Sequence, residues 1–404
     1  MSQTQHDTAY SWLRLAISLA LSVVGSIGMW ASIVVLPAME ADFGVSRATA
    51  TVPYIFCMAG FAIGNFVLGR AVDRWGITPV LALAGLAEAI GFAASALLPS
   101  LGAVSVLHLL LGLGAAASFA PLIADSSQWF LRRRGIAVAI AASGNYLAGA
   151  VWPTPIAWVM EDGGWQNAYL LLAVLVLVVT VPGAFLLRRR IDAGSTERAT
   201  AAAAVKASSI QLSPKALQIL LAIAGIGCCT AMSMPQVHIV ALCIDRGFGA
   251  AAGAEMLSLM LAGGVLSRLC FGALSDRLGG LMVLAIGGTL QMLALSLFLV
   301  QGDQTALSMI ALIFGLSQGG IVPAYAIVVR EYMPPKEAGR RVGIVIGSTI
   351  VGMAFGGWVS GWLYDLTGSY AAAIWNGIAF NLFNIVIALG ILMRVTRTRD
   401  NQPA

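Results

Sequence analysis

"GNFVLGRAVDRWG" (Gly64–Gly76) and "SRLCFGALSDRLG" (Ser267–Gly279) are two versions of one pattern. In each, a glycine stands four residues before an Asp-Arg pair, and another glycine follows the pair by two. The first copy supplies Gly69, Asp73, Arg74 and Gly76; the second supplies Gly272, Asp276, Arg277 and Gly279. Both join long apolar stretches. A second repeat lies further on: "RRRGIAVAIAASG" (132–144) and "GRRVGIVIGS" (339–348) each open an apolar stretch with paired arginines. Repetition on this scale predicts a chain built of two halves that fold alike.

The composition says what medium those halves occupy. The 404 residues are 59% hydrophobic and 10% charged, with mean hydropathy +0.88. A soluble domain is about 45–50% apolar and about 25% charged, so the chain reads as an integral membrane protein. A spanning helix needs about 20 mostly apolar residues. Twelve stretches fit: 13–37, 49–70, 78–99, 101–124, 135–160, 167–188, 215–244, 250–274, 280–301, 305–329, 342–364 and 370–394. The expected fold is an all-α membrane protein with twelve transmembrane helices in two pseudo-symmetric six-helix halves, 1–188 and 215–404. The polar segment 189–214 is the expected cytoplasmic linker. The first apolar stretch is too long for a cleavable signal and follows the polar start "MSQTQHDTAY".

Charge supports the count. With the N-terminus in the cytoplasm, 20 of the 23 Lys and Arg residues fall at cytoplasmic ends and loops, and only Arg47 and Arg246 fall opposite. Positive residues concentrate on the cytoplasmic side, so both termini are expected there. Short loops, with three lysines against twenty arginines, suggest a bacterial inner membrane. The net charge of +5 is confined to span ends and gives no reason to expect nucleic acid. The five cysteines lack metal-ligand spacing and are expected to be small buried hydrophobes, with no disulfide. No Ser-His-Asp cluster or phosphate loop appears, so no enzyme activity and no cofactor is expected. A receptor is disfavoured because repeated halves suit alternating access.

The twenty-third cation is Arg268, inside an apolar stretch. It lies eight residues before Asp276, about 12 Å along a helix axis, too deep to reach the interface easily. A charged arginine at mid-span costs about 2.5–3.5 kcal/mol on insertion scales. Gly264 and Gly272 stand four residues to either side and are read as clearing space on its face. The repeat-equivalent residue in the first half is Asn65, so symmetry does not require the charge. Either Arg268 pairs with a buried carboxylate, or it faces a wet cavity and holds an anion. A guanidinium grips a carboxylate through two parallel hydrogen bonds.

"GRAVDRWG" (69–76) resembles the loop signature between helices two and three of the major facilitator superfamily, and "GALSDRLGG" (272–280) resembles its weaker second copy. The resemblance covers essentially the whole chain. It implies that Asp73, Arg74, Arg70, Asp276 and Arg277, with Arg133, Arg134, Arg340 and Arg341, form a cytoplasmic conformational latch. A narrower resemblance lies in "WFLRRRGIAVAIAASGNYLAGAVWPTPIAWVMEDGGWQNAYL" (129–170), similar to helix five of the monocarboxylate porter family, which includes bacterial relatives of the oxalate–formate antiporter. Phe130, Arg133, Arg134, Ala137, Gly144, Gly149 and the Gly164-Trp165 pair match; Gln166 stands where an arginine is usual. Arg268 falls where that family has its helix-eight arginine. Helix eleven lacks the second cation of the oxalate carriers, which implies a substrate with one carboxylate.

Candidate substrate-binding residues beside Arg268 are Asn145, Tyr146 and Trp152 on helix five, Gln318 and Tyr325 on helix ten, and Tyr54 and Asn65 on helix two. Gln318 and Tyr325 are seven apart and expected on one helix face. For each alone, helix–helix hydrogen bonding is the competing reading. Proton-linked members of the family carry an Asp four residues before the arginine, where this chain has Gly264. Proton-coupling candidates are therefore His238, whose side chain titrates near neutral pH in water, Asp125 and Glu88. The expected activity is symport of a small lactate- or pyruvate-like anion with a proton, by a monomer in the bilayer. Exchange of carboxylates also fits. Drug or metabolite efflux by antiport is disfavoured, since helix five has no Gly-Pro pair and a cationic drug would prefer a buried carboxylate.

Overall fold

In a computed structural model of the chain, residues 7–98, 100–130, 134–189, 212–300, 302–333 and 338–400 are described, and these are helical apart from short turns and bends. The repeated glycines set its plan. Gly76 and Gly279 adopt nearly the same conformation, φ 86°, ψ 168° and φ 80°, ψ 160°. Each donates its N–H back to the carbonyl four residues earlier, Val72 at 2.7 Å and Ser275 at 2.9 Å. Only a residue without Cβ takes such a φ at little cost, so each copy ends one helix and starts the next.

Among the described residues, eleven stretches are long and apolar enough to span a bilayer. They are Ala9–Val34 (span one), Arg47–Val72 (two), Ile77–Leu97 (three), Leu101–Ser126 (four), Ile136–Leu187, Pro214–Asp245 (seven), Gly249–Ser275 (eight), Gly280–Leu297 (nine), Gln304–Val329 (ten), Arg341–Thr367 (eleven) and Ala371–Arg394 (twelve). Ile136–Leu187 is 52 residues long, about 78 Å as a straight helix against a hydrocarbon core of about 30 Å. Gly164, at φ 69° and ψ 175°, breaks it into two. Spans five and six therefore flank Gly164, and the described residues supply twelve spans.

Several spans are interrupted within their length. Span one bends at Ser26, between helices Ala9–Gly25 and Ile27–Val34. Span four breaks at Ser118 and Phe119. Span ten breaks at Gly319 and Gly320.

Two compact units form, one from Met1–Asp192 with Val237–Ala262, the other from Ala193–Gln236 with Gly263–Ala404. The first holds an apolar core of Leu21, Ile77, Leu81, Leu122 and Leu187. The second is built around Leu221, Phe271, Leu284, Ile321 and Val345. Within each, glycines bring backbones together. A Cβ on Gly112 of span four would strike the Cys57 carbonyl of span two, and one on Gly227 of span seven would lie 2.7 Å from the Phe380 carbonyl of span twelve. Close backbone approach is how helices associate where lipid removes the hydrophobic drive. Large apolar side chains also face outward, among them Phe66 and Leu97. Such a surface is a liability in water and suited to lipid.

Candidate functional site

Arg268 is half-buried on span eight of the second unit. Its Nε donates to the Gly319 carbonyl at 3.2 Å. That acceptor is available because the residue four positions on, Pro323, has no N–H to donate to it. A Cβ on Gly319 would strike the carbonyl of Gly264, and one on Gly320 would strike the Phe271 side chain. Gly264 is therefore a packing point between spans eight and ten, not the cleared space expected from the sequence. Gly272 does face open space, with nothing within 4 Å of a built Cβ.

Gln318 precedes the carbonyl that Arg268 binds. It is fully buried, and neither its amide nitrogen nor its amide oxygen has a hydrogen-bond partner. A buried unpartnered amide is costly. Tyr325 goes elsewhere. Its hydroxyl donates to Asn384 Oδ1 on span twelve at 2.7 Å, within a buried core cluster.

The first unit carries its own polar and aromatic cluster. Trp30 Nε1 donates to the Asn145 carbonyl at 2.8 Å, and the Trp30 and Tyr146 rings meet edge-on at 6.3 Å. Asn145 Nδ2 lies 3.7 Å from Met29 Sδ, and Trp152 Nε1 donates to the Val23 carbonyl at 2.9 Å. Spans one and five are thus tied together at three of the predicted residues. Tyr54 is buried; Asn65 donates to the Phe61 carbonyl of its own helix at 2.8 Å.

Of the proton candidates, His238 is fully buried. Asp125 is held by Arg14 through Nε–Oδ2 at 2.8 Å and Nη2–Oδ1 at 2.9 Å. Arg14 also donates to the Leu187 carbonyl at 2.9 Å and lies 4.7 Å from the Trp129 ring centroid. The sequence reading put Arg14 among the loop charges; the structure buries it to 2% exposure. Glu88 is fully buried, its Oε1 accepting from the Gly28 N–H.

Among the expected latch residues, Arg74 and Arg277 are exposed, and Arg70 lies over the Phe66 ring at 4.5 Å. Arg341 Nη1 donates to Gln218 Oε1 at 2.6 Å and the Pro214 carbonyl at 3.1 Å. Arg133, most of the 189–214 linker, and the side chains of Asp73, Asp276, Arg134 and Arg340 lie outside the described residues. Glu331, unremarked in the sequence, accepts from the Gly280 N–H at 3.0 Å, which places an acid at the start of span nine where the helix dipole favours one. All five cysteines are free thiols, and Cys270 is exposed against the expectation that each would be buried. Its neighbour Leu269 is exposed as well.

Twelve spans, a repeated Asp-Arg turn with one backbone geometry and an arginine within span eight describe a polytopic membrane transporter. The chain belongs to the Major Facilitator Superfamily, which it matches over residues 18–254 and 239–404. It is similar to Monocarboxylate transporter 13 of Rattus norvegicus, 28% identical over 80% of this chain and 76% of that protein. Monocarboxylate transporter 11 of Homo sapiens is 27% identical over 91% of this chain and 80% of its own. An uncharacterised MFS-type transporter of Bacillus subtilis, YcxA, is 26% identical over 88% of both. The fold is that of the crystal structures of the nucleoside transporter NupG (TM-score 0.67, 15% identity, 94% of this chain and 99% of that one) and of a bacterial homologue of the lysosomal transporter Spinster (TM-score 0.73, 14% identity, 98% and 100%).

Proposed function

We propose that this transporter moves a small organic monocarboxylate, lactate- or pyruvate-like, together with a proton and by alternating access. The observation that carries the reading is the half-buried Arg268 within span eight, bonded to the Gly319 carbonyl, with the buried, unpartnered amide of Gln318 next to Gly319 in the chain. A guanidinium and an amide N–H together suit one carboxylate and a neighbouring carbonyl or hydroxyl. The names of the relatives from rat and human support the same substrate class. Asn145, Tyr146, Trp152, Tyr54 and Asn65 are proposed as further substrate-facing groups. In this reading residues 1–188 and 215–404 are the two moving halves, and the arginines and aspartates of the repeated turns latch the cytoplasmic side. The protein works as a monomer in a bacterial inner membrane with both termini cytoplasmic.

Uptake of labelled lactate and pyruvate into proteoliposomes, with and without an inward proton gradient, tests this. Wild type is expected to accumulate label faster with the gradient. Arg268→Lys is expected to lose most uptake, since a point charge does not reproduce the fork. Normal uptake by Arg268→Gln would overturn the reading.

A further inference from the structure

Glu88 lies in the middle of span three and has no solvent exposure. Its Oε1 accepts from the Gly28 N–H at 3.1 Å, just past the bend in span one. Its Oε2 is buried without a hydrogen-bond partner. The backbones of spans one and four close on this carboxyl. A Cβ on Gly28 would stand 2.9 Å from Oε1, and one on Gly114 would collide with Oε2. One turn along, the Ser118 hydroxyl abuts Gly25, and the Thr180 side chain of span six abuts Gly85. The hydroxyls of Ser26, Ser118 and Thr180 are also buried without partners. These oxygens are unsatisfied around the breaks of spans one and four; the Thr180 group that faces Gly85 and Gly25 is its methyl. Among the described residues, no basic side chain bonds to Glu88.

The second half shows what a closed version of this corner looks like. The register that aligns Asp73 with Asp276 also aligns Glu88 with Gln291 and Gly85 with Gly288. Gln291 uses both ends of its amide: Nε2 donates to the Cys228 carbonyl at 3.1 Å, and Oε1 accepts from Cys228 Sγ at 3.4 Å. Gly288 faces Asn384, which bonds Tyr325 and Asn381. That network is neutral and its members are paired. The first half puts a carboxyl in the same place and leaves its oxygens open. A buried anion without a counter-charge is strongly unfavourable.

We propose that this corner is a binding site for a small monovalent cation, Na+ or a proton, held by Glu88 with the hydroxyls of Ser26 and Ser118. Hard oxygen donors suit an alkali ion. A proton would sit on Oε2 and leave a neutral acid, matching the neutral Gln291. Either guest joins spans one, three and four of the first unit. The titratable groups on the elements packed around it are Cys57 on span two, His108 on span four and Tyr169 on span six, the last two bonded to each other at 3.0 Å. Arg14 and Asp125 pair with each other. The site lies in the unit that does not contain Arg268, and its test uses no carboxylate, so it stands or falls apart from the proposed substrate.

The test is thermal unfolding of the purified full chain in detergent, with NaCl replacing choline chloride at fixed ionic strength, repeated from pH 5 to 9. If the guest is sodium, Tm rises saturably with Na+, by on the order of 2 °C. If it is a proton, Na+ has no effect and Tm falls as pH rises and the native state loses the proton. Glu88→Gln, the arrangement already present at Gln291, is expected to fold and to lose whichever response wild type shows. Ser118→Ala, which trims one donor, is expected to weaken half-saturation by Na+ by about tenfold or to move the pH midpoint. A wild type that responds to neither ion, as when water fills the corner, overturns the site. So does a Glu88→Gln or Ser118→Ala protein whose curves superpose on wild type.

Discussion

Arg47 and Asp245, 198 positions apart, are joined by Nη1–Oδ2 at 2.5 Å and Nη2–Oδ1 at 3.4 Å. The same guanidinium donates from Nε to Glu40 Oε2 at 2.8 Å. One nearly buried cation therefore ties the start of span two to the end of span seven and to the helix between spans one and two. The sequence placed Arg47 as one of two stray positive charges on its side; in the structure it is the hub of a three-residue ion network. Arg47→Gln would leave two partly exposed carboxylates facing each other. The expected loss is about 1–3 kcal/mol, discounted from a fully buried pair because both acids reach solvent. Asp245→Asn keeps an oxygen acceptor and should lose less. A double-mutant cycle on Tm should return a coupling of about 1 kcal/mol or more; additive losses would mean the contact contributes nothing.

Arg14 and Asp125 form the more deeply buried pair, bidentate and backed by Trp129. Breaking one partner leaves an uncompensated charge, typically about 3–5 kcal/mol. Arg14→Ala is expected to reduce folded yield and Tm sharply. Arg14→Lys keeps the charge but not the fork and should fall between Ala and wild type. Size-exclusion profiles and unfolding curves of the three proteins give the order directly.

Glycines beside Arg268 offer a paired comparison. Gly319→Ala would push span ten off the Gly264 carbonyl and carry the Gly319 oxygen away from Arg268 Nε. Overpacking of this kind costs about 1–3 kcal/mol, and uptake should fall with it. Gly272→Ala meets nothing within 4 Å. It should be neutral or stabilising by up to about 1 kcal/mol, as alanine is the better helix former. Equal effects of the two changes on Tm would contradict the packing described.

The repeat was legible because two short turns impose chemistry on sequence. Gly76 and Gly279 need the left-handed region, and apolar runs of spanning length need lipid. Arg268 was legible because a lone cation in such a run has to be satisfied, either by a buried acid or by a guest. The partners were not. Arg14 and Asp125 are 111 positions apart, and Arg47 and Asp245 are farther, so nothing local in sequence pairs them. The Gly319-Gly320 interruption was visible only as two adjacent glycines, which also occur in unbroken helices. Glu88 was singled out as a proton-coupling candidate, but the alignment of its position with Gln291 mattered only once the hydrogen bonds of Gln291 were visible.

Gln318 separates packing from function. Its amide is fully buried and unpartnered, so Gln318→Leu removes an unsatisfied polar group while keeping similar bulk. Replacing such a group by an apolar one is neutral or favourable for stability, by up to about 1–3 kcal/mol. If the amide exists to hold cargo beside Arg268, the same substitution must cost transport. Gln318→Leu is therefore expected to unfold at or above the wild-type temperature and to lose tenfold or more of its carboxylate uptake rate, the factor that about 1.4 kcal/mol of lost binding produces. Gln318→Glu should be worse still, because a second anion would stand where the substrate carboxylate approaches the guanidinium. A Leu variant that is more stable and transports normally would mean that the orphaned amide is a tolerated packing defect, and that substrate is held elsewhere.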